Sequence, residues 1–213
     1  MGPAVRGRGP SPLLRVGARV ARTRAEGPGL RFALWLQGCA IRCPGCCNPH
    51  LFDPTAGSAV PVSLLLQEVA AARAEPPVEG VTLLGGEPFD QASLLVRFAE
   101  GVRAMGLSLI AFSGYTLEEL SARARGGEPE IGDLLAALDV LVDGRYEADR
   151  PERERLWVGS SNQRFHYFTD RYSPAIERPL SDAPLRTIEL RLSPDGRLSA
   201  NGWPSPFLRR LGR

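Results

Sequence analysis

The sequence predicts an α/β protein in which helices cover a parallel β-sheet. Short, almost continuous apolar runs alternate along the chain with segments whose apolar residues recur at helical spacing. Strands that are apolar on both faces are typical of a parallel sheet covered by helices. The runs end in polar or glycine-rich motifs, and α/β sheets bind ligands at the carboxyl ends of their strands. We therefore expect a ligand site at one edge of the sheet.

Five segments are predicted as strands of this sheet. The first alternates loosely between apolar and polar residues and is expected to be an edge strand, whereas the others are buried runs. In chain order the strands are expected at Leu13–Arg24, Leu30–Leu36, Gly80–Leu84, Leu107–Phe112 and Asp139–Val142.

Four segments are predicted as helices, and two of them have an N-terminal capping signal. Ser63 is a plausible cap for the first helix, and Thr116 with Glu119 three residues later predicts a capping box for the third. The helices are expected at Pro61–Ala74, 91–105, Leu117–Arg125 and Asp133–Ala137.

The chain is expected to form one core domain with an extension at each end. Residues 1–12 lack apolar periodicity and contain several breakers, so they are predicted to be a disordered tail. Residues 13–180 would form the core. Residues 181–213 would form a C-terminal β-hairpin, because Pro194-Asp195-Gly196 is a turn signal between Thr187–Leu192 and Arg197–Ala200.

Composition argues against several function classes. A net charge of +2 is too small to indicate binding to nucleic acid or to an anionic membrane. No run approaches the roughly 20 apolar residues of a membrane span, and the N-terminus lacks the apolar stretch of a secretory signal. All 26 basic residues are arginine, which excludes a catalytic lysine. We expect a cytoplasmic protein that binds neither nucleic acid nor membrane.

All four cysteines lie within nine positions, in a segment that follows the second predicted strand. We call residues 37–48 the cysteine loop. Cys39, Cys43 and Cys46 have the spacing Cys-x3-Cys-x2-Cys, and the glycines and proline of the loop allow the turns that bring three thiolates to one metal centre. In a chain without an export signal, clustered cysteines indicate metal ligands before disulfides.

Three ligands with one open coordination position are the simplest interpretation of this loop. Adjacent side chains tend to point apart, so we expect only one of Cys46 and Cys47 to bind the metal. An open position indicates a reactive centre, whereas four ligands would close a structural site. The alternative is a Cys3His zinc site with His50 as the fourth ligand.

The cysteine loop, followed about 40 residues later by Gly85-Gly86-Glu87-Pro88, resembles the radical S-adenosylmethionine (SAM) superfamily. Other motifs narrow the resemblance to the activating proteins of glycyl-radical enzymes, and among these to the activators of anaerobic ribonucleotide reductase. The resemblance covers about residues 20–170. Its other motifs are 26–29 (where Glu26 replaces the usual aspartate), 36–39, 43–46, 113–116, 141–146 and 159–164.

The resemblance implies a cofactor and a set of site residues. Cys39, Cys43 and Cys46 would hold one [4Fe–4S] cluster, and SAM would bind to its fourth iron. The Gly85–Pro88 motif would bind the amino group of SAM, and Ser113 lies where the family often contacts ribose. The reduced cluster would cleave SAM to methionine and a 5′-deoxyadenosyl radical. Beyond the cluster ligands, no catalytic side chain is predicted.

The superfamily fold implies a (β/α) barrel, and 213 residues fall short of the about 250 of a full barrel. We therefore expect a partial (β/α) barrel of the radical SAM type with the small C-terminal hairpin as an extension.

The residues on either side of the third cysteine differ from those of many superfamily members. Cys47 follows the third cysteine and is interpreted as a small packed residue. Gly45 precedes the third cysteine, at a position where many superfamily members have an aromatic residue near adenine. Asn162 and Arg164 match a family motif but receive no role from the sequence.

The implied function is a radical SAM activase, an oxidoreductase that abstracts hydrogen from a glycine of a partner enzyme. The partner is expected to be a glycyl-radical enzyme of the anaerobic ribonucleotide reductase type, with a reducing flavodoxin or ferredoxin as electron donor. One alternative is a radical SAM enzyme that acts on a peptide or a small molecule. The alternative from another class is a non-catalytic module that binds zinc or a cluster.

Overall fold

The computed structural model describes residues 12–179 and 187–202. The predicted tail, residues 1–12, lies outside the described residues except for its last position, and so do 180–186 and 203–213 of the chain's C-terminal part. The division into tail, core and extension stays a prediction.

Seven of the described strands form one mixed sheet with the order β3-β1-β2-β4-β5-β6-β7. Strands β2, β4, β5 and β6 are parallel, and antiparallel strands flank them on both sides. The strands are β1 (Leu13–Thr23), β2 (Arg31–Leu36), β3 (Ser58–Pro61), β4 (Gly80–Gly85), β5 (Ser108–Phe112), β6 (Val140–Asp143) and β7 (Arg164–Tyr167).

Four α-helices connect or flank these strands: α1 (Val62–Ala72), α2 (Ala92–Ala104), α3 (Leu117–Arg125) and α4 (Pro129–Ala137). The capping box of α3 is confirmed, because Thr116 Oγ1 accepts from Glu119 N at 3.2 Å and Glu119 Oε2 accepts from Thr116 N at 2.9 Å. The predicted Ser63 cap is wrong, since α1 already begins at Val62 after Pro61. In the described ranges, no helix has both the length and the apolar character to cross a membrane.

The edges of the sheet differ from the prediction. β1 is not an edge strand, because β3 pairs with its outer side from Leu13↔Pro61 to Val16↔Ser58. β3 is short and ends in proline, a residue that strands tolerate at an edge, where its missing N–H removes no ladder bond. β7 forms the other edge by pairing antiparallel with β6. Neither β3 nor β7 has a long apolar run, which is why sequence periodicity misses both.

All four helices pack on one face of the sheet. Residues such as Leu34, Leu83 and Leu109 share one core with buried side chains of every helix. On the opposite face, Leu51 of the short helix Pro49–Leu51 and Val158 of a loop pack in two smaller clusters with alternate residues of the same strands. The strands are therefore apolar on both faces although the four α-helices cover only one. Strand pairing gives the order and direction of the strands but does not describe how far the sheet curves. The partial-barrel shape therefore stays a prediction.

A buried arginine ties the strands together at their amino ends. Arg31 at the start of β2 is fully buried and donates to Thr82 Oγ1 at 2.6 Å, Ser108 Oγ at 3.0 Å and Val81 O at 2.6 Å. Tyr172, after β7, accepts from it at 3.0 Å. Burial lowers the pKa of Arg31 because the charged form loses its hydration. Its oxygen partners thus replace water at the edge of the sheet opposite the cysteine loop.

The predicted hairpin is confirmed as β8 (Ile188–Leu192) and β9 (Leu198–Gly202), which pair antiparallel from Ile188↔Gly202 to Leu192↔Leu198. It contacts the region before β2 through Glu26, whose Oε1 accepts from Gly202 N at 2.7 Å and from Asn201 Nδ2 at 3.0 Å. Arg24 N donates to Glu189 Oε1 at 2.7 Å. The hairpin therefore lies beside the amino end of β2.

Candidate metal centre

The predicted motifs meet at the carboxyl edge, by which we mean the edge where β2, β4, β5 and β6 end. Glu87 N donates to Gly38 O at 2.7 Å, which joins the loop after β4 to the cysteine loop after β2. Ser113 N donates to Val142 O at 2.9 Å, and this bond joins the end of β5 to the end of β6. The structure thus places the four loops side by side, as the strand pattern predicts.

Two glycines allow the loop after β4 to pass close to the cysteine loop. A Cβ on Gly86 would lie 2.1 Å from Gly38 O, and one on Gly85 would lie 2.7 Å from Leu36 N. Gly85 also has φ +112°, which side-chain-bearing residues rarely adopt. Any other residue at either position would push the two loops apart.

The cysteine loop turns through three residues in the left-handed region: Gly38 with φ +96°, Arg42 with φ +51° and Gly45 with φ +76°. Arg42 is the unusual one, because a residue with a side chain is strained there. Cys46 N donates to Cys43 O at 3.1 Å, which closes a tight turn between the second and third cysteines of the motif. The loop therefore carries its three motif cysteines on turns rather than on regular structure.

All four cysteines are thiols; Cys39, Cys43 and Cys46 are half-buried and Cys47 is exposed. A hydrogen bond with Cys47 lowers the pKa of Cys46 to about 6, and Asn48 N donates to Cys46 Sγ at 3.4 Å. Burial instead raises the pKa of Cys39. Because a metal binds thiolates, the lowered pKa of Cys46 favours its ligation.

Three thiols on one loop fit the ligands of an iron–sulfur cluster, which takes soft sulfur donors. Within residues 12–179 and 187–202, no group of three or more histidine, cysteine, aspartate or glutamate side chains is arranged around a single metal ion. His50, the fourth ligand of the alternative Cys3His zinc site, is exposed on the short helix Pro49–Leu51. In a four-iron cluster each cysteine binds a different iron, so the sulfurs need not converge on one ion.

The Glu87 side chain faces inward. It is 1% exposed, and its carboxylate accepts from Phe89 N at 3.0 Å, Ser113 Oγ at 2.9 Å and Gly114 N at 2.8 Å. Burial raises the pKa of Glu87 to about 7, although the three hydrogen bonds act in the opposite direction. Glu87 therefore joins the loops after β4 and β5.

The other predicted cofactor-binding residues are also largely enclosed. Ser113 is 5% exposed, and its Oγ accepts from Tyr115 N at 3.0 Å while it donates to Glu87. Pro88 is buried as the first residue of the short helix Pro88–Gln91. The structure brings the predicted residues together. The Ser113 hydroxyl and the Glu87 carboxylate bind each other and stabilise the loops after β4 and β5.

Two residues that sequence reasoning missed support the cysteine loop. Asp90 Oδ2 accepts from Ala40 N at 3.3 Å. Gln91 Nε2 donates to Gln37 O at 3.0 Å, directly before the loop's first glycine. Both follow the Gly85–Pro88 motif, and their position just after it is the only signal that the sequence offers.

Arg164, which received no role from the sequence, bridges two acidic residues. It lies 2.8 Å from Asp143 Oδ2 and 2.6 Å from Glu118 Oε2. Asp143 is fully buried and accepts from Leu117 N at 2.6 Å. The Arg164 hydrogen bond lowers the pKa of Glu118 to about 2. These contacts join β7 and α3 to the end of β6, next to the carboxyl edge.

Residues 25–166 match a protein family described as a 4Fe-4S single cluster domain. The matched range begins just before β2 and ends within β7, so it contains the cysteine loop and the other loops of the carboxyl edge. The hairpin of β8 and β9 lies outside it.

Curated relatives are named anaerobic ribonucleoside-triphosphate reductase-activating protein. The one from Escherichia coli strain K12 is 29% identical over 149 residues, which are 67% of this chain and 91% of the relative. That of enterobacteria phage T4 is 30% identical over 68% of this chain and 88% of the relative. That of Pasteurella multocida strain Pm70 is 32% identical over 68% of this chain and 91% of the relative.

Proposed function

We propose a function from one premise: this chain belongs to the family of anaerobic ribonucleoside-triphosphate reductase-activating proteins and contains a 4Fe-4S single cluster domain. We propose that it is a radical SAM activase for an anaerobic ribonucleotide reductase. The observation that carries this proposal is the contact between the three-cysteine loop and the Gly85–Pro88 loop at the carboxyl edge, within the range that the family covers.

In this proposal Cys39, Cys43 and Cys46 hold the cluster and leave one iron open to SAM. A [4Fe–4S] cluster bound there would supply one electron for the cleavage of SAM to methionine and a 5′-deoxyadenosyl radical. In this proposal backbone carbonyls of the Gly85–Pro88 loop accept from the ammonium group of SAM, and the absence of side chains on Gly85 and Gly86 lets this loop lie against the cysteine loop. The rest of the carboxyl edge orients the ligand and excludes water.

Glu87 and Ser113 act on this site through the loops. Their hydrogen bond fixes the loop after β4 against the loop after β5, and Glu87 N fixes the first of these against Gly38. A buried network of this kind gives a site one arrangement because each polar group depends on its partner. We infer that they position the ligand-binding backbone rather than bind SAM with their side chains.

We also propose that the sheet is the partial barrel of radical SAM proteins. Support comes from the four helices, which all pack on one face. An open doubly wound sheet has helices on both faces, whereas a barrel has them only outside. The inner face would then carry Trp35, Leu84 and Phe112 toward the site, and a glycine-bearing segment of the reductase would reach it from the carboxyl edge.

The test is the transfer of a radical to the partner. Reduced protein, SAM and an anaerobic ribonucleotide reductase are mixed without oxygen, and the reductase is examined for a glycyl radical by electron paramagnetic resonance. We expect the radical with the native chain and with Cys47→Ala, and none with Cys46→Ala, which should also lose iron. Retained iron in Cys46→Ala with lost iron in Cys47→Ala would contradict the ligand assignment. Cleavage of SAM with no radical on the reductase would contradict the partner.

A further inference from the structure

We propose that Tyr146 is a positioning residue, whose ring braces the cysteine loop from the neighbouring loop of the carboxyl edge. We call residues 144–163, between β6 and β7, the Tyr146 loop. The brace itself follows from packing contacts, and its effect on a cluster rests on the proposed function.

The Tyr146 ring lies between two glycines from different segments, Gly45 and Gly159. Its Cε1 lies 3.6 Å from the position that a Cβ on Gly45 would take. On the other side, its Cδ2 and Cε2 lie 2.9 and 3.0 Å from the corresponding position on Gly159. Gly45 directly precedes Cys46, so the half-buried ring lies near the segment that carries the third cysteine of the motif. A side chain on Gly159 would occupy space that the ring needs.

The Tyr146 loop is itself held in place by side chains of the 159–164 motif. Gln163 Oε1 accepts from Gly159 N at 2.8 Å, and Ser160 Oγ accepts from Glu147 N at 3.1 Å. Asn162 Nδ2 donates to Arg145 O at 2.8 Å. These bonds flank Tyr146 on both sides in sequence, and they give the motif a role that its residues alone do not reveal. The ring therefore has a fixed support behind it.

Packing holds the cysteine loop from two sides. Ile41 lies against the loop after β5, where its Cδ1 is 2.7 Å from the position of a Cβ on Gly114. On the other side Tyr146 and Ala148 lie next to Gly45, with Tyr146 Cε1 and Ala148 Cβ 3.6 and 3.5 Å from the position that a Cβ on Gly45 would take. Backbone hydrogen bonds from Cys39 and Ala40 anchor the start of the loop to Phe52 O and the Asp90 carboxylate. In sequence, Cys43 lies between these two packing contacts, and the second contact adjoins Cys46.

Removal of the ring should loosen the third cysteine. Removal of the ring loses its packing against the loop, and a loss of about 1.4 kcal/mol corresponds to a tenfold change in an equilibrium. We therefore expect about tenfold faster opening of the cysteine loop in Tyr146→Ala. Tyr146→Phe keeps the ring and should behave like the native chain.

The first measurement uses the full chain without cluster, so it does not depend on the proposed function. Hydrogen exchange is followed by mass spectrometry in peptides that cover residues 39–52. Exchange should be about tenfold faster in Tyr146→Ala and in Gly159→Ala, whose new methyl group displaces the ring. Phe168→Ala is the matched control, because it removes a 40% exposed aromatic side chain at the opposite edge of the sheet. It should leave these peptides unchanged.

The second measurement asks whether the two residues act as one unit. In the double variant Gly159→Ala with Tyr146→Ala, the methyl group has no ring to displace, so exchange should equal that of Tyr146→Ala alone.

The third measurement uses protein with reconstituted cluster. Reconstituted Tyr146→Ala should release iron to a chelator about tenfold faster than the native chain, with Tyr146→Phe restoring slow release. Equal exchange in Tyr146→Ala and the native chain would overturn the brace, as would additive effects in the double variant. Failure to reconstitute four irons in the native chain would overturn the proposed function instead.

Discussion

Glu87 shows at the scale of one residue how a motif position can serve a site from inside the protein. Its carboxylate is enclosed by the loops after β4 and β5 and accepts three hydrogen bonds there. The sequence identifies the motif, but it cannot show that partners 26 and 27 positions away, Ser113 and Gly114, turn the side chain inward. Spacing predicts the Cys39, Cys43 and Cys46 set more directly, because one short loop carries all three.

The titration of Glu87 gives a prediction about stability. Its pKa is raised from 4.5 to about 7, so the folded chain holds this proton more tightly than the unfolded chain does between these two values. Stability should therefore fall as the pH rises through this window, by a term on the order of 3 kcal/mol that is complete above about pH 7. Glu87→Gln cannot titrate and should lack this term.

The measurement is urea unfolding of the chain without cluster at several pH values between 5 and 8, followed by circular dichroism. The difference in unfolding free energy between the native chain and Glu87→Gln should shrink or change sign as the pH rises, because only the native chain loses this contribution. Parallel pH profiles for the two proteins would mean that Glu87 does not titrate in this range.

At the scale of the elements, long periodic segments are predictable and short edge strands are not. The apolar run of β2 and the capping box of α3 are confirmed almost to the residue. β7 is missed because its four residues Arg164–Tyr167 have no apolar run. It joins the sheet through pairing with β6 and through the ion pair of Arg164 with Asp143, and both are contacts between segments about 20 residues apart.

Arg164→Ala tests how much that ion pair stabilises β7. Removing one partner of a fully buried pair costs about 3–5 kcal/mol. Here we expect only about 1–2 kcal/mol, because Arg164 is 45% exposed to screening water and Asp143 keeps its hydrogen bond from Leu117 N. Urea unfolding of the chain without cluster measures the difference.

The matched control is Arg178→Ala. Arg178 pairs with Glu154 at 3.4 Å, and both side chains are 74% exposed, so its loss should change the unfolding free energy by less than about 0.5 kcal/mol. Equal changes in the unfolding free energy for the two substitutions would show that the contact with buried Asp143 stabilises the chain no more than an exposed ion pair does.

At the scale of the whole molecule, the order of strands and helices follows from the sequence, whereas the placement of layers does not. Continuous apolar runs predicted a parallel sheet covered by helices, but residues outside the four α-helices, such as Leu51 and Val158, cover its second face. Periodicity measures whether a face is buried and carries no information about what buries it.

The departure of Glu26 from the family's usual aspartate also has an explanation at this scale. The Glu26 carboxylate accepts from Gly202 N and Asn201 Nδ2 of the hairpin, which lies outside the matched family range. The longer side chain therefore contacts an element outside the range that matches the family. Desolvation raises the pKa of Glu26, in keeping with its enclosure by this contact.

The central claim is that the cysteine loop and the Gly85–Pro88 loop together form a centre that cleaves SAM. The most direct test is a joint assay of iron and 5′-deoxyadenosine in protein that is reconstituted without oxygen, reduced with dithionite and mixed with SAM. About four irons per chain together with 5′-deoxyadenosine are expected. Zinc in place of iron, or iron without cleavage of SAM, would contradict the account and leave the cysteine loop as a structural element.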